Sequence, residues 1–206
     1  MQPKLSIMVP VYNQADLLLE ALNSIPKRND IEVLIIDDCS TDNTWEVMSN
    51  WRDENLEKFA AIRLKKNSEN MGCGYSKNWA YRAAQGEYIV TLDSDDYFYT
   101  RVFNDIVEQL YNHSEDMLFI NNNINSGTIW KDESRKATWS YIIKNSFLRE
   151  HNLNYSPTAR RAGDYELTKE IVKLNPTRYH FEGVPYHYNY PREGSIVWNH
   201  EHGITN

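Results

Sequence analysis

Residues Gly86 to Phe98 read G-E-Y-I-V-T-L-D-S-D-D-Y-F, an apolar run from Tyr88 to Leu92 that ends abruptly in Asp93, Asp95 and Asp96. The run is short, β-branched and aromatic, and Gly86 bounds it, so it reads as a buried strand. In an open α/β sheet, ligands bind just beyond the carboxyl ends of such strands. Three carboxylates crowded there repel one another. A hard divalent cation, Mg²⁺ or Mn²⁺, removes that repulsion and can in turn hold phosphates. An acidic, solvated turn explains the same residues, and this stretch alone leaves both readings open.

The chain before it repeats the pattern. Leu5 to Val9 reads as a first strand stopped by Pro10, and Leu18, Leu22 and Ile25 recur at helical spacing. Ile31 to Ile36 is a second buried strand, ending in Asp37 and Asp38. C-S-T-D-N-T then leads into a helix from Trp45 to Trp51. Phe59 to Leu64 is a third strand, and a polar loop containing Gly72 precedes a helix from Tyr75 to Ala84 with Tyr75, Trp79 and Ala83 on one side. Strand and helix alternate throughout, which predicts a mostly parallel sheet with right-handed crossovers and helices on both faces. The polar strand ends then share one edge, the geometry of a nucleotide cleft. Neither G-x-G-x-x-G after the first strand nor G-x-x-x-x-G-K-[ST] occurs, so bound phosphates would need a metal.

The second half is less regular. Val102 to Tyr111 reads as a helix, Met117 to Ile120 as a strand, and N-N-N-I-N-S-G as a loop. Thr138 to Glu150 is expected to be helical, with Trp139, Ile142, Ile143 and Phe147 apolar. Asp164 opens an amphipathic helix carrying Leu167, Ile171 and Leu174, and a strand or hairpin follows around Tyr186. With 206 residues, the expectation is one domain, 1–99 forming one half and 100–206 the other. The net charge of -7 gives no general basic field for nucleic acid or anionic lipid. Cys39 and Cys73 follow no metal-ligand spacing, and two thiols without a disulfide framework suit a cytoplasmic protein. No segment is apolar for long enough to span a bilayer, with peripheral membrane association left open.

These residues resemble family 2 glycosyltransferases of the GT-A fold. S-I-M-V-P-V-Y-N at Ser6 to Asn13 is similar to their opening strand, and I-E-V-L-I-I-D-D-C-S-T-D-N-T to their second strand and Asp-Asp-x-Ser turn. N-M-G-C-G-Y-S-K-N-W followed by Y-I-V-T-L-D-S-D-D resembles their Asn-x-Gly loop, basic helix and metal-binding D-x-D. These matches keep the family's order and spacing from Ser6 to about Tyr99. More weakly, A-G-D-Y-E-L resembles the family's Glu-Asp motif, with Gly163 where Glu is usual, and P-R-E-G-S-I-V its closing loop.

The resemblance implies an inverting, metal-dependent transfer of a sugar from a nucleotide diphosphate donor, a UDP-sugar being favoured, to an acceptor hydroxyl, in bacterial or phage glycan synthesis. It implies a donor-binding half, 1–99, and an acceptor half, 100–206. Asp95 matches the position that holds Mn²⁺ or Mg²⁺, and Asp93 with Ser94 faces the donor ribose or sugar. Asp96 stays unassigned between metal or water ligand and helix cap. Asp38 matches the carboxylate that meets a uracil-type base or its ribose, with an N-cap as the alternative and Asp37 the weaker candidate. Pro10 and Tyr12 match the loop over the base. Asn70, Gly72 and Lys77 match the loop and helix that close on the nucleotide, although a surface lysine explains Lys77 nearly as well. Asp164 is the general base by this match, with helix capping as its competing role and Glu166 as the fallback base. Arg192 and Ser195 match the loop that touches the diphosphate. His187, His200 and His202 are candidates for a further metal ligand, and Trp130, Trp139 and Trp198 for the acceptor pocket, core packing being the default for each tryptophan. Two other activities compete. A sugar-phosphate nucleotidyltransferase needs a Gly-rich basic loop where this chain reads P-V-Y-N-Q. A transferase acting on modified nucleic acid sits poorly with the acidic balance.

Overall fold

The structure is a computed structural model and describes residues 2–130, 137–156, 163–193, 195, 199, 201 and 202. The chain begins β1 (Leu5–Val11), α1 (Ala15–Ser24), β2 (Ile31–Asp37), α2 (Thr44–Asn55) and β3 (Ala61–Lys66). It continues α3 (Cys73–Ala83), β4 (Tyr88–Thr91), β5 (Tyr97–Phe98), α4 (Thr100–Gln109), β6 (Met117–Phe119), β7 (Asn122–Ile124) and β8 (Ile129–Trp130). It closes with β9 (Tyr141–Lys144), α5 (Asn145–Glu150), α6 (Gly163–Lys173), β10 (Arg178–His180) and β11 (Tyr186–Tyr188).

Seven strands form the main sheet in the order β10-β6-β9-β4-β1-β2-β3. β1 runs parallel to both β2 and β4, β2 to β3, and β10 to β6, so the sheet is mostly parallel as expected. Both faces are covered, because the strand residues alternate between two apolar layers. Ile7, Val9, Val33, Ile35, Tyr88 and Val90 pack with Leu18 and Leu22 of α1, Met48 and Trp51 of α2, and Phe103 and Ile106 of α4. Met8, Leu34, Ile36 and Ile89 pack on the other side with Ala80 and Tyr81 of α3, Phe147 of α5, and Leu167 and Ile171 of α6. From β1 the chain winds outward through β2 to β3, then returns through α3 on the opposite face to β4, on β1's other side. That reversal makes the gap between β1 and β4 a topological switch point, where open sheets leave a crevice at the carboxyl ends of their strands.

Three local expectations change. Pro10 does not stop the first strand: it stays in β1, paired with Ile36, and Val11 follows. Thr138 to Glu150 is not one helix. A single 3₁₀ turn at Thr138–Ser140 leads into β9, which runs antiparallel between β4 and β6. Trp139, Ile142, Ile143 and Phe147 fit helical spacing, yet Ile142 enters one apolar layer while Tyr141 and Ile143 enter the other, the period of a strand. The Asn-rich stretch expected to be a loop contains β7, which joins a second sheet ordered β5-β11-β7-β8. At the far edge, Gly86 is held against Ser6: a Cβ there would lie 2.5 Å from the Ser6 hydroxyl and 2.6 Å from its amide nitrogen. The close approach lets the Gly86 N–H donate to Ser6 Oγ and to the buried Glu32 carboxylate. No helix among the described residues is long and apolar enough to cross a membrane.

Candidate active site

Strand register brings the polar ends together. Val11 pairs with Asp37 and Met8 with Thr91, so Tyr12, Asp38 and Asp93 all emerge at the same edge. The Asp38 N–H donates to Val11 O at 2.9 Å and the Leu92 N–H to Met8 O at 2.9 Å, extending the ladders into the loops. Asn13, at φ 50, locks the first two loops: its N–H donates to Ser40 Oγ, and its side-chain oxygen accepts the Thr41 N–H at 2.8 Å. Tyr12, before it, remains 43% exposed directly after β1, whereas Pro10 is buried.

Asp38 is buried, and its carboxylate organises a loop. Oδ1 accepts the Asn67 side-chain amide at 2.7 Å and the Met71 N–H at 3.0 Å; Oδ2 accepts the Gly72 N–H at 2.7 Å. Gly72, at φ 87, turns the chain into α3. Asp38 therefore acts on Asn70 to Gly72 through the loop's backbone and does not cap α2. Asp37 is fully buried, accepting the Ser40 N–H at 2.7 Å and pairing with Lys66 at 3.1 Å.

After β4 the chain turns, with the Asp96 N–H donating to Asp93 O at 3.1 Å. The three carboxylates diverge. Asp96 is 2% exposed and accepts the Tyr186 hydroxyl and the Asn189 N–H, latching the second sheet to the turn. Burial, with Asp95 and Asp93 nearby, raises its pKa well above the usual carboxylate range, and the two donors oppose the rise. Asp95 faces outward and forms an ion pair with Arg192. Ser94 is buried. Asp93 lies 3.5 Å from the Lys77 ammonium. Burial pushes its pKa up to about 6; Lys77 opposes this, and Asp164 and Asp95 add to it.

Lys77 is not a surface lysine. It is 2% exposed, on the face of α3 that carries Ala80 and Tyr81. That face follows the 77, 80, 81, 84 spacing rather than the one through Tyr75, which is 39% exposed. Burial works against the Lys77 charge, but Asp164 and Asp93 outweigh it, and its pKa is raised well above the ordinary lysine value. Asp164, in the first turn of α6, accepts from Lys77 at 3.1 Å and from the Thr138 N–H at 3.3 Å. Glu166 points around the helix and is exposed, so it cannot substitute for Asp164 at this edge. Gly163, where the family's Glu would stand, is buried. Behind these groups the buried Thr138 hydroxyl accepts from Tyr155 at 2.8 Å and lies 3.3 Å from Thr91 Oγ1.

His187 faces away from the carboxylates. It stacks on Tyr97 at 4.4 Å, with ring nitrogens 3.1 Å from Asn123 Oδ1 and 2.8 Å from Asn125 Oδ1. Trp139 is buried and stacks on Tyr186 and Tyr188, a core role. His202 is exposed, and Ser195 accompanies Arg192 in the closing loop, its N–H donating to Arg192 O. His200, Trp198 and the Trp130 side chain lie outside the described residues. Among the described residues, no group of three His, Cys, Asp or Glu side chains is placed to hold a metal. A hard cation shared between one or two carboxylates, phosphate oxygens and water needs no such cage. Asp95, partly exposed and already facing a cationic group, fits that donor set.

A model of glycosyl transferase family 2 matches residues 6–171. The chain belongs to this family. Among curated proteins it is 28% identical over 213 residues to poly(ribitol-phosphate) beta-N-acetylglucosaminyltransferase TarS of Staphylococcus aureus, covering 93% of this chain and 36% of TarS. The crystal structure of S. aureus TarS 1-349 in complex with UDP-GlcNAc superposes with a TM-score of 0.82 at 24% identity, covering 95% of this chain and 60% of that one. Mannosyltransferase PcManGT from Pyrobaculum calidifontis, in complex with GDP-Man and Mn²⁺, has a TM-score of 0.74 at 20% identity over 97% of this chain and 60% of its own. These likenesses show a GT-A glycosyltransferase fold, and the chain spans little more than a third of TarS.

The site residues missing from the sequence reading are Asn67, Thr138, Tyr155 and Tyr186. Asn67 sits directly after β3 and was within reach of the same strand-end argument. Thr138, Tyr155 and Tyr186 reach the edge through long-range packing and carry no local signal.

Proposed function

We propose that the chain transfers a sugar from a nucleoside diphosphate donor, a UDP-sugar being favoured, to an acceptor hydroxyl with inversion at the anomeric carbon. The observation that carries the reading is the shared ammonium: Lys77 lies 3.1 Å from Asp164 and 3.5 Å from Asp93, so a candidate base and a donor-side carboxylate face each other across the switch point. Asp164 takes the acceptor proton as that oxygen attacks the anomeric carbon and the bond to the diphosphate breaks. The transition state has oxocarbenium character, and negative charge grows on the departing diphosphate. Mg²⁺ or Mn²⁺ held at Asp95 would offset that charge. Arg192, beside Asp95, supplies a second cationic group toward the same oxygens. Tyr12 packs on the base, and Asp93 with Ser94 accepts and donates to the ribose or sugar hydroxyls. The loop Asn70 to Gly72, shaped by Asp38, borders the nucleotide.

In this reading residues 1–99 bind the donor and 100–206 supply the base and the acceptor side. The UDP-GlcNAc carried by TarS supports the uridine preference, and the Mn²⁺ in PcManGT supports the cation. A nucleotidyltransferase is disfavoured because the β1–α1 loop, Tyr12-Asn13-Gln14, holds no glycine or basic residue for a triphosphate. The test is a panel of UDP-, GDP- and TDP-sugars scored by nucleotide release, with Mn²⁺ or Mg²⁺ and with chelator. Release from a UDP-sugar that chelator abolishes is expected. Release that ignores chelator sinks the metal role, and release confined to another nucleotide sinks the uridine preference.

A further inference from the structure

Lys77 belongs to no motif that requires a buried cation, yet its side chain is 3% exposed beneath the crevice. An ammonium has three N–H bonds. Lys77 has four oxygen neighbours within 3.5 Å: Asp164 Oδ1 at 3.1 Å and Oδ2 at 3.4 Å, Thr138 Oγ1 at 3.4 Å and Asp93 Oδ1 at 3.5 Å. The nitrogen also sits 5.5 Å from the centroid of the Tyr155 ring. These four protein oxygens outnumber the three N–H bonds, so protein groups alone can engage every proton. Asp164 Oδ2 also accepts the Thr138 N–H at 3.3 Å, so Lys77 and Thr138 together hold the carboxylate by both oxygens. Thr138 is itself fixed by the Tyr155 hydroxyl at 2.8 Å. Tyr155 is fixed in turn by Asn78, whose side-chain oxygen accepts the Tyr155 N–H at 2.8 Å, one residue from Lys77 on α3. The base is thus braced from α3, the helix that begins at the Gly72 turn.

We infer that Lys77 is a positioning residue that acts through Asp164 and Asp93: it keeps the base aimed, and it does not itself bind the donor. The inference rests on the assignment of Asp164 as base. Breaking one side of a buried ion pair leaves the other uncompensated, whereas removing both sides does not, so the two substitutions should be strongly coupled.

The experiment uses the full chain as wild type, Lys77→Met, Lys77→Arg, Asp164→Asn and the Lys77→Met/Asp164→Asn double variant. Turnover with the donor found by the panel, UDP affinity with Mn²⁺ by calorimetry, and urea unfolding midpoints are measured for each. Lys77→Met is expected to lower kcat by about 30-fold or more, within the range that general-base catalysis supplies, with UDP affinity within about 3-fold of wild type. Lys77→Arg keeps at least about ten times the turnover of Lys77→Met, and the double variant is no slower than Asp164→Asn within about 3-fold, because groups acting as a unit are non-additive. A UDP affinity lowered ten-fold or more in Lys77→Met, or losses that multiply in the double variant, overturns the inference. Should no donor turn over in wild type, the transferase reading has failed, and the unfolding midpoints still decide the pairing. Lys77→Met must then cost clearly more stability in the wild-type background than beside Asp164→Asn; equal costs overturn it.

Discussion

Replacing Asp38 by Asn separates a loop-building carboxylate from a nucleotide-binding one. Asp38 Oδ1 accepts two donors and Oδ2 one. In the better amide orientation the new NH₂ faces the Gly72 N–H; in the other it faces both Asn67 and Met71. The better orientation forfeits one charge-assisted bond and leaves a half-buried N–H opposed by another donor. It also weakens the two remaining bonds by removing the charge. A hydrogen bond to a charged group is worth about 1.5–3 kcal/mol, so the total loss is about 2–4 kcal/mol. For a chain of this size that corresponds to a fall in Tm of roughly 4–16 °C. Calorimetric or circular dichroism melting reads the effect, and UDP titration of the same variant reads its consequence at Asn70 to Gly72. A Tm within about 1 °C of wild type, together with a UDP affinity lowered ten-fold or more, would refute the reasoning. The carboxylate would then be spending its charge on the nucleotide and not on the loop.

Asp93 gives a pH signature. Its native pKa of about 6 exceeds the ordinary 3.8, so the native state binds this proton more tightly than the unfolded chain does. Its contribution to stability therefore falls as pH rises from about 4 to about 6 and is flat above. Asp93→Asn should gain stability relative to wild type over that window, by about 1–2 kcal/mol after discounting for partial exposure, and urea unfolding at pH 4 and pH 7 measures it. Tyr186→Phe removes the donor to Asp96 and should cost about 1–3 kcal/mol in the same assay, since it leaves a buried carboxylate short of a partner. Asp95→Asn should raise the Mn²⁺ concentration needed for half-maximal turnover by about ten-fold or more, a kcat-independent loss that electron paramagnetic resonance of free Mn²⁺ also reads. Glu166→Gln should leave turnover within about 2-fold of wild type, because that side chain faces away from the edge.

Period and strand ends carried most of the fold. Tyr88 to Leu92, Ile31 to Ile36 and Leu5 to Val9 are short apolar runs between helical patterns, and a covered parallel sheet is the arrangement that buries them. The placement of Tyr12, Asp38 and Asp93 at one edge followed from that topology alone. What failed had competing periods or depended on distant partners. Trp139, Ile142, Ile143 and Phe147 satisfy a helix, and only the slot between β4 and β6 makes Tyr141–Lys144 a strand. Asp96 is a third carboxylate in the sequence but a latch in the structure, because Tyr186, 90 residues later, reaches it. For Lys77 the sequence left a nucleotide contact and a surface lysine both open, and the 77, 80, 81, 84 face on which it is buried became visible only in the structure. The resolution is Asp164 in a helix whose position the sequence does not encode locally.

The central claim is that Asp164 is the proton acceptor at a donor site built by the strand ends of β1, β2 and β4. Turnover and UDP affinity of Asp164→Asn, measured side by side, test it most directly. The expected result is a kcat lower by about 10²–10⁴-fold with UDP affinity within about 2-fold of wild type. Undiminished transfer by Asp164→Asn would contradict it and place the base elsewhere.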